Sequence, residues 1–245
     1  MWKNIQVAVQ GRSHKISNTP CQDKTFALNN LECYAVSLAD GAGSAIHSEI
    51  GAQCVTKKIC DVLSQNFDKY FSAEKSDKVA EELLAVLLEE LENISAASNC
   101  NLKDLASTLL AVAVKENNFI ALHIGDGVIG ILDGEILTAL SKPDNGEFTN
   151  ETTFVTSVDA ISHLRLYKGD IDEVSAFMLM SDGAASGFYN RSSQNLMPIL
   201  KKIIAAVNIL PSEDVENELK KNFSETLCQI TSDDCSLVIL SKAET

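Results

Sequence analysis

Arginine is scarce in this chain. Its 245 residues include three, Arg12, Arg165 and Arg191, and 20 basic residues stand against 34 acidic ones, a formal net charge of −14. A nucleic-acid backbone needs a basic surface, so nucleic acid is excluded as the main partner. Long apolar runs are missing too. No uninterrupted stretch could span a bilayer, and Met1-Trp2-Lys3-Asn4 leads straight into the alternation of Ile5, Val7 and Val9 with no signal-peptide core. The seven cysteines are scattered, odd in number and free of any C-x-x-C pair. Neither a zinc site nor a disulfide framework is indicated, and the cysteines read as small buried hydrophobes in a reducing compartment. A cytoplasmic protein with no membrane partner is expected.

What is present is ordinary globular material, 45% hydrophobic and 22% charged. No linker, repeat or low-complexity segment interrupts it, so residues 1–245 are read as one domain. Thr25–Leu28 and Tyr34–Ala39 are expected strands after a polar loop at Gly11–Asn18. Ile46, Ile50, Val55, Ile59, Val62 and Leu63 recur at near-helical spacing and predict a helix over Ser44–Gln65. A second follows over Asp77–Ala97, with Glu89, Glu90 and Glu92 on its solvated face. Ser107–Val114, Phe119–Ile124, Val128–Leu132 and Glu135–Ala139 form a strand-rich region in which Asp133-Gly134 marks a purely structural hairpin. Residues Ser141–Thr152 are expected as a surface loop, Phe154–Val158 and Leu164–Tyr167 as further strands, and Ala176–Met180 as an apolar strand. Helices over Asn195–Val207 and from Pro211 to Phe223 precede a last strand, Ser236–Leu240.

The aspartates fall into a pattern. Asp40 and Asp182 each end an apolar strand before glycine, Asp126 lies between two glycines after a strand, and Asp233 precedes one. Asp23 precedes a strand near the first turn. A single Asp-Gly is most simply a turn, but carboxylates delivered by several strand ends can converge. Carboxylates packed together repel unless cations neutralise them. An Asp beside glycine offers both a carboxylate and a bare carbonyl, the oxygen ligands that Mg²⁺ or Mn²⁺ prefers.

In order, Cys21-Gln22-Asp23, Asp40-Gly41-Ala42-Gly43-Ser44, Ser107-Thr108-Leu109, Gly125-Asp126-Gly127, Ser181-Asp182-Gly183 and Asp233-Asp234 resemble the metal-dependent serine/threonine protein phosphatases of the protein phosphatase 2C type, especially their compact bacterial branch. The resemblance implies an α+β fold, a four-layer α-β-β-α sandwich of two packed antiparallel sheets flanked by helices. It implies two Mn²⁺ or Mg²⁺ ions, with Asp40 bridging them, the Gly41 carbonyl on one, and Asp182 and Asp233 on the other. Asp23 matches the family's N-terminal acidic position, which orients water at the metals. Asp126 matches a position that helps hold a weaker third ion. The implied reaction is in-line attack on phosphoserine or phosphothreonine of proteins by a hydroxide bridging the two cations, in a protein expected to act as a monomer.

Two departures bear on the remaining roles. Where many members place a phosphate-gripping arginine, this chain has Asn18, and Arg12 and Lys15 in the same loop could substitute. Where the eukaryotic pattern has Asp-Gly-His, Ala42 stands, which leaves His14 or a water at the metals as the acid for the leaving group. A Cys-x5-Arg phosphate loop is excluded, because Gln6, Asp159 and Ala185 stand six places before the three arginines. Asp170-Ile171-Asp172 precedes a strand and lacks the threonine of a phosphoaspartyl motif. A non-catalytic phosphatase-like binding module and a phosphatase of small phosphate esters are the alternatives; the complete aspartate set argues against the first.

Overall fold

A computed structural model of the chain describes residues 1–30, 32–144 and 152–243. Two five-stranded antiparallel sheets face each other. One takes the order β1 (Trp2–Val9), β12 (Cys235–Lys242), β9 (Val174–Met180), β6 (Val128–Asp133) and β7 (Ile136–Ser141). The other takes β2 (Lys24–Asn29), β3 (Cys33–Ala39), β4 (Leu109–Lys115), β5 (Asn118–Ile124) and β8 (Arg165–Asp170). A small ribbon pairs β10 (Tyr189–Asn190) with β11 (Asn195–Leu196).

The central strands are apolar on both faces, and each face has its own use. In β4, Leu110, Val112 and Val114 point between the sheets, where they join Phe177, Leu179, Val238 and Leu240. Leu109, Ala111 and Ala113 point the other way, under α2 (Ser48–Ser72) and α3 (Ser76–Ser98). The alanines let those helices approach the sheet closely. In the first sheet Ala176, Met178, Met180, Leu237 and Ile239 face outward, covered by α6 (Ile199–Ile209) and α7 (Ser212–Asn222). Three apolar layers therefore lie between four layers of secondary structure, which is the α-β-β-α sandwich implied by the motifs. Among the described residues no helix is long and apolar enough to cross a membrane.

Several local expectations are corrected. Gly11–Asn18 is not a loop throughout: α1 (Arg12–Ser17) occupies it, a one-and-a-half-turn helix with no buried residue and hence no apolar period to read. The long helix begins at Ser48 rather than Ser44, and Ile46, counted on its apolar face, is 75% exposed. Phe154–Val158 forms turns and no strand, with Val155 donating to the Ser107 carbonyl, and leads into the short α4 (Ala160–His163). A helix directly after Ser181, α5 (Asp182–Phe188), lies outside those expectations, because five of its seven residues are alanine, serine or glycine and carry little periodic signal. The last helix runs on through a wide turn at Phe223–Leu227 into α8 (Cys228–Ile230). The Asp133-Gly134 hairpin stands as read, with Gly134 at φ 53°. Of the expected loop at 141–152, residues 145–151 lie outside the described residues.

Candidate metal centre

The site is assembled where strands of both sheets end. Asp40 follows β3 and is stitched to the start of β4: the Thr108 amide donates to the Asp40 carbonyl at 2.8 Å, and the Asp40 amide donates to Thr108 Oγ1 at 2.9 Å. Gly41 bridges to Ser107, and the Ala42 amide reaches the Ala106 carbonyl at 2.9 Å. The Ser-Thr-Leu segment thus fixes the backbone on both sides of the Asp40 carboxylate.

Asp182 opens α5 and sits against the residues that precede β12. Ser181 and Ser236 exchange hydrogen bonds of 3.1 and 3.0 Å. Gly183 is required by close approach, since a Cβ there would stand 2.0 Å from the Asp234 carbonyl. That contact sets Asp182 beside Asp233, whose own Oδ1 accepts the Asp234 amide at 2.8 Å. Asp126 arrives from the end of β5, and its Oδ2 accepts the Thr152 hydroxyl at 2.7 Å.

Asp40, Gly41, Asp126, Asp182 and Asp233 line one cavity of about 250 Å³, together with Ser13, His14, Gln22, Gly43, Thr108, Thr152 and Phe154. Asp23 lies buried against it, 2% exposed. Five of the six residues that the motifs place at the metals therefore line one cavity, and the sixth, Asp23, is buried close enough for its charge to act on Asp40. Of the other assigned residues, His14 lines the cavity with Nδ1 2.9 Å from Asp234 Oδ2, an approach that lacks hydrogen-bond alignment. Arg12 and Lys15 stand exposed on α1, while Ser13 and His14 are its contribution to the cavity wall.

The carboxylates repel one another. Burial first, then the charges of Asp23, Asp182, Asp233 and Asp126, raises the Asp40 carboxyl well above its ordinary range. Burial, with Asp126 and Asp233 adding to it, pushes Asp182 up to about 6. Burial also pushes Asp23 up to about 7, Asp234 and Asp182 adding to the rise. The Ser236 and Ser181 hydroxyls beside Asp23 partly offset this, yet neither closes a hydrogen bond, and both Asp23 carboxylate oxygens and Asp182 Oδ1 lack a partner. Buried polar atoms left unpaired in this way cost free energy unless something absent from the protein itself satisfies them. The donors are all oxygens, which suits hard divalent cations. Among the described residues no three His, Cys, Asp or Glu side chains stand in positions to hold one ion between them. The donor set matches an ion that keeps several waters, as Mg²⁺ does. Cys21 is no nucleophile here, because burial, with Asp23 and Asp234 nearby, drives its thiol upward and keeps it protonated.

Sequence reasoning missed the residue that joins the two chain ends at the site. Asp234 is 1% exposed and accepts the Gly11 and Gln22 amides, each at 2.6 Å. Gln22 Nε2 in turn donates to Ser48 Oγ at 2.7 Å, tying the N-terminal segment to the start of α2. The Asp233-Asp234 doublet was the available signal: one member faces the cavity and its neighbour faces backbone amides.

Fold and site together define a four-layer sandwich whose two sheets share a carboxylate-lined cavity suited to hard cations. Residues 10–224 match the family described as protein phosphatase 2C, and the chain belongs to that family. It is 27% identical over 259 residues to serine/threonine-protein phosphatase 3 of Escherichia coli (strain K12), covering 99% of both chains. The solved serine/threonine phosphatase Stp1 from Staphylococcus aureus superposes with a TM-score of 0.67 at 14% identity, over 100% of this chain and 96% of that one. The S. agalactiae serine/threonine phosphatase superposes at 0.66 and 15%, with all of both chains covered. At such identities the structural likeness shows the fold.

Proposed function

We propose that the protein is an Mn²⁺- or Mg²⁺-dependent phosphatase that hydrolyses phosphoserine and phosphothreonine in protein substrates. The observation that carries this reading is the single cavity lined by Asp40, Asp126, Asp182 and Asp233 over the unpartnered oxygens of Asp23. Membership of the protein phosphatase 2C family and the naming of the Escherichia coli relative support the reaction class. In this reading Asp40, the Gly41 carbonyl, Asp182 and Asp233 would hold two cations, and Asp126 would help hold a weaker third. When bound, such cations lower the pKa of water and neutralise the phosphoryl oxygens of a dianionic ester.

The protein's own groups do the rest. Asp23, buried and free of hydrogen-bond partners, orients the attacking water and accepts its proton. His14, held beside Asp234 at the cavity wall, gives a proton to the departing serine or threonine oxygen. Arg12 and Lys15 put exposed positive charge on the same short helix, where a phosphate enters. No residue forms a covalent bond to phosphorus.

The test is hydrolysis of a phosphothreonine peptide and of p-nitrophenyl phosphate by the purified protein in Mn²⁺. Both are expected to be turned over, with the peptide favoured in kcat/KM, to stop on adding EDTA, and to resume with excess Mn²⁺. Turnover that persists in EDTA would overturn the reading. A preference for the small ester would keep the chemistry and remove the protein substrate.

A further inference from the structure

The corner that presents Asp126 is fixed by a residue outside the cavity. Arg165 opens β8 and is paired across the sheet with His123 of β5. Its Nη1 donates to the Lys142 carbonyl at 2.6 Å. Its Nη2 reaches the Gly125 carbonyl at 3.5 Å and His123 Nδ1 at 3.1 Å. The Gly125 carbonyl also accepts the Asp144 amide at 3.1 Å. Gly125 has φ 114°, and a Cβ there would stand 2.5 Å from Thr108 Cγ2, so the chain can turn into Asp126 here only through glycine.

Behind the guanidinium, His123 is fully buried. Burial, and then the Arg165 charge, holds its imidazole well below the ordinary histidine range, so it is neutral and available as an acceptor. Ser141 Oγ lies 2.7 Å from His123 Nδ1 and accepts the Tyr167 hydroxyl at 3.1 Å. The whole cluster ties β5 and β8 of one sheet to the end of β7 in the other. Arg165 is half-buried, and taking even part of a guanidinium out of water has a cost, in line with the lowering of its pKa by burial. Its planar fork is the one side-chain geometry that spans two carbonyls and a ring nitrogen at once; lysine keeps the charge but not the fork.

We infer that Arg165 is a positioning residue for Asp126: by clamping the Gly125 and Lys142 carbonyls it holds the Asp126 carboxylate at the cavity for the weaker divalent cation. This rests on the reading of Asp126 as a cation ligand. The Thr152 hydroxyl on Asp126 Oδ2 fixes the carboxylate from the cavity side, and Arg165 fixes its backbone from behind.

Titration of the full chain with Mn²⁺, followed by electron paramagnetic resonance of the free ion, tests this. Wild type is compared with Arg165→Lys, Arg165→Gln and Asp126→Asn, each with a thermal melt by circular dichroism. Both Arg165 variants are expected to weaken the lowest-affinity Mn²⁺ site by about tenfold, the range for loss of a group that orients a ligand, and to leave the tighter sites in place. Their activity at limiting Mn²⁺ falls further than at saturating Mn²⁺. Arg165 variants that titrate like wild type while Asp126→Asn loses the weak site would overturn the inference. Uniform weakening of every site in step with a lowered melting point would reduce Arg165 to a structural residue. An Asp126→Asn protein that binds every ion as wild type does would overturn the underlying ligand reading instead.

Discussion

Replacing Asp40 by asparagine is expected to lower phosphoester hydrolysis on the order of 10³-fold or more, because losing a carboxylate that would hold the proposed cations would forfeit several kcal/mol of charge stabilisation at about 1.4 kcal/mol per tenfold in rate. Burial first, and then four neighbouring aspartates, raise the proton affinity of the Asp40 carboxylate, so it lies among the negative charges of the site. An amide of nearly the same shape keeps the backbone bonds to Thr108 and the bridge from Gly41 to Ser107, neither of which uses the side chain. The fold therefore survives. In EDTA the variant should melt at or above the wild-type temperature, since one repelling charge has gone. Rates with Mn²⁺ and melts in EDTA check the two halves separately. Wild-type turnover in Asp40→Asn would contradict the assignment, and a large drop in melting temperature would recast Asp40 as structural.

The second large effect is on stability in the absence of metal. Asp23 and Asp182 have folded-state values of about 7 and about 6, against an ordinary value of 3.8. Between those limits the folded protein holds protons that the unfolded chain has released. Stability is therefore fully present below the unfolded value and is lost as pH rises through 6 and 7. Glu82, held low by Lys69, acts in the opposite sense, but that pair is on the surface and is screened. Urea midpoints in EDTA should fall by an amount worth a few kcal/mol between about pH 4.5 and about pH 8. With Mn²⁺ present the trend should reverse, because ligands bind cations only when deprotonated. A metal-free midpoint that is flat or rises with pH would mean that the carboxylates do not crowd one another.

The aspartates proposed as metal ligands were legible because each carries its own local chemistry. Asp40, Asp126 and Asp182 stand next to glycine at strand ends, and a turn of that kind is written in adjacent residues. Their convergence was not written there; it came from the ordered set of motifs, and the two packed sheets supply the reason. Asp234 was legible only as a neighbour, since its role is to accept amides from Gly11 and Gln22, more than two hundred residues away in sequence. Arg165 and His123 gave no signal, because their bonds to Gly125, Ser141 and Lys142 depend on three strands meeting. The short helices α1 and α5 escaped for want of a period. Phe154–Val158 carries β-forming residues and still turns, because Phe154 and Ser157 bond to each other across the bend.

The central claim is that aspartates from distant parts of the chain share a pair of divalent ions. Diffraction from crystals grown with Mn²⁺, measured at the manganese absorption edge, tests it directly. The expected result is two strong anomalous peaks inside the cavity, both against Asp40, with the Gly41 carbonyl on one and Asp182 and Asp233 on the other. A cavity without peaks in crystals that bind Mn²⁺ elsewhere on the acidic surface would contradict the account.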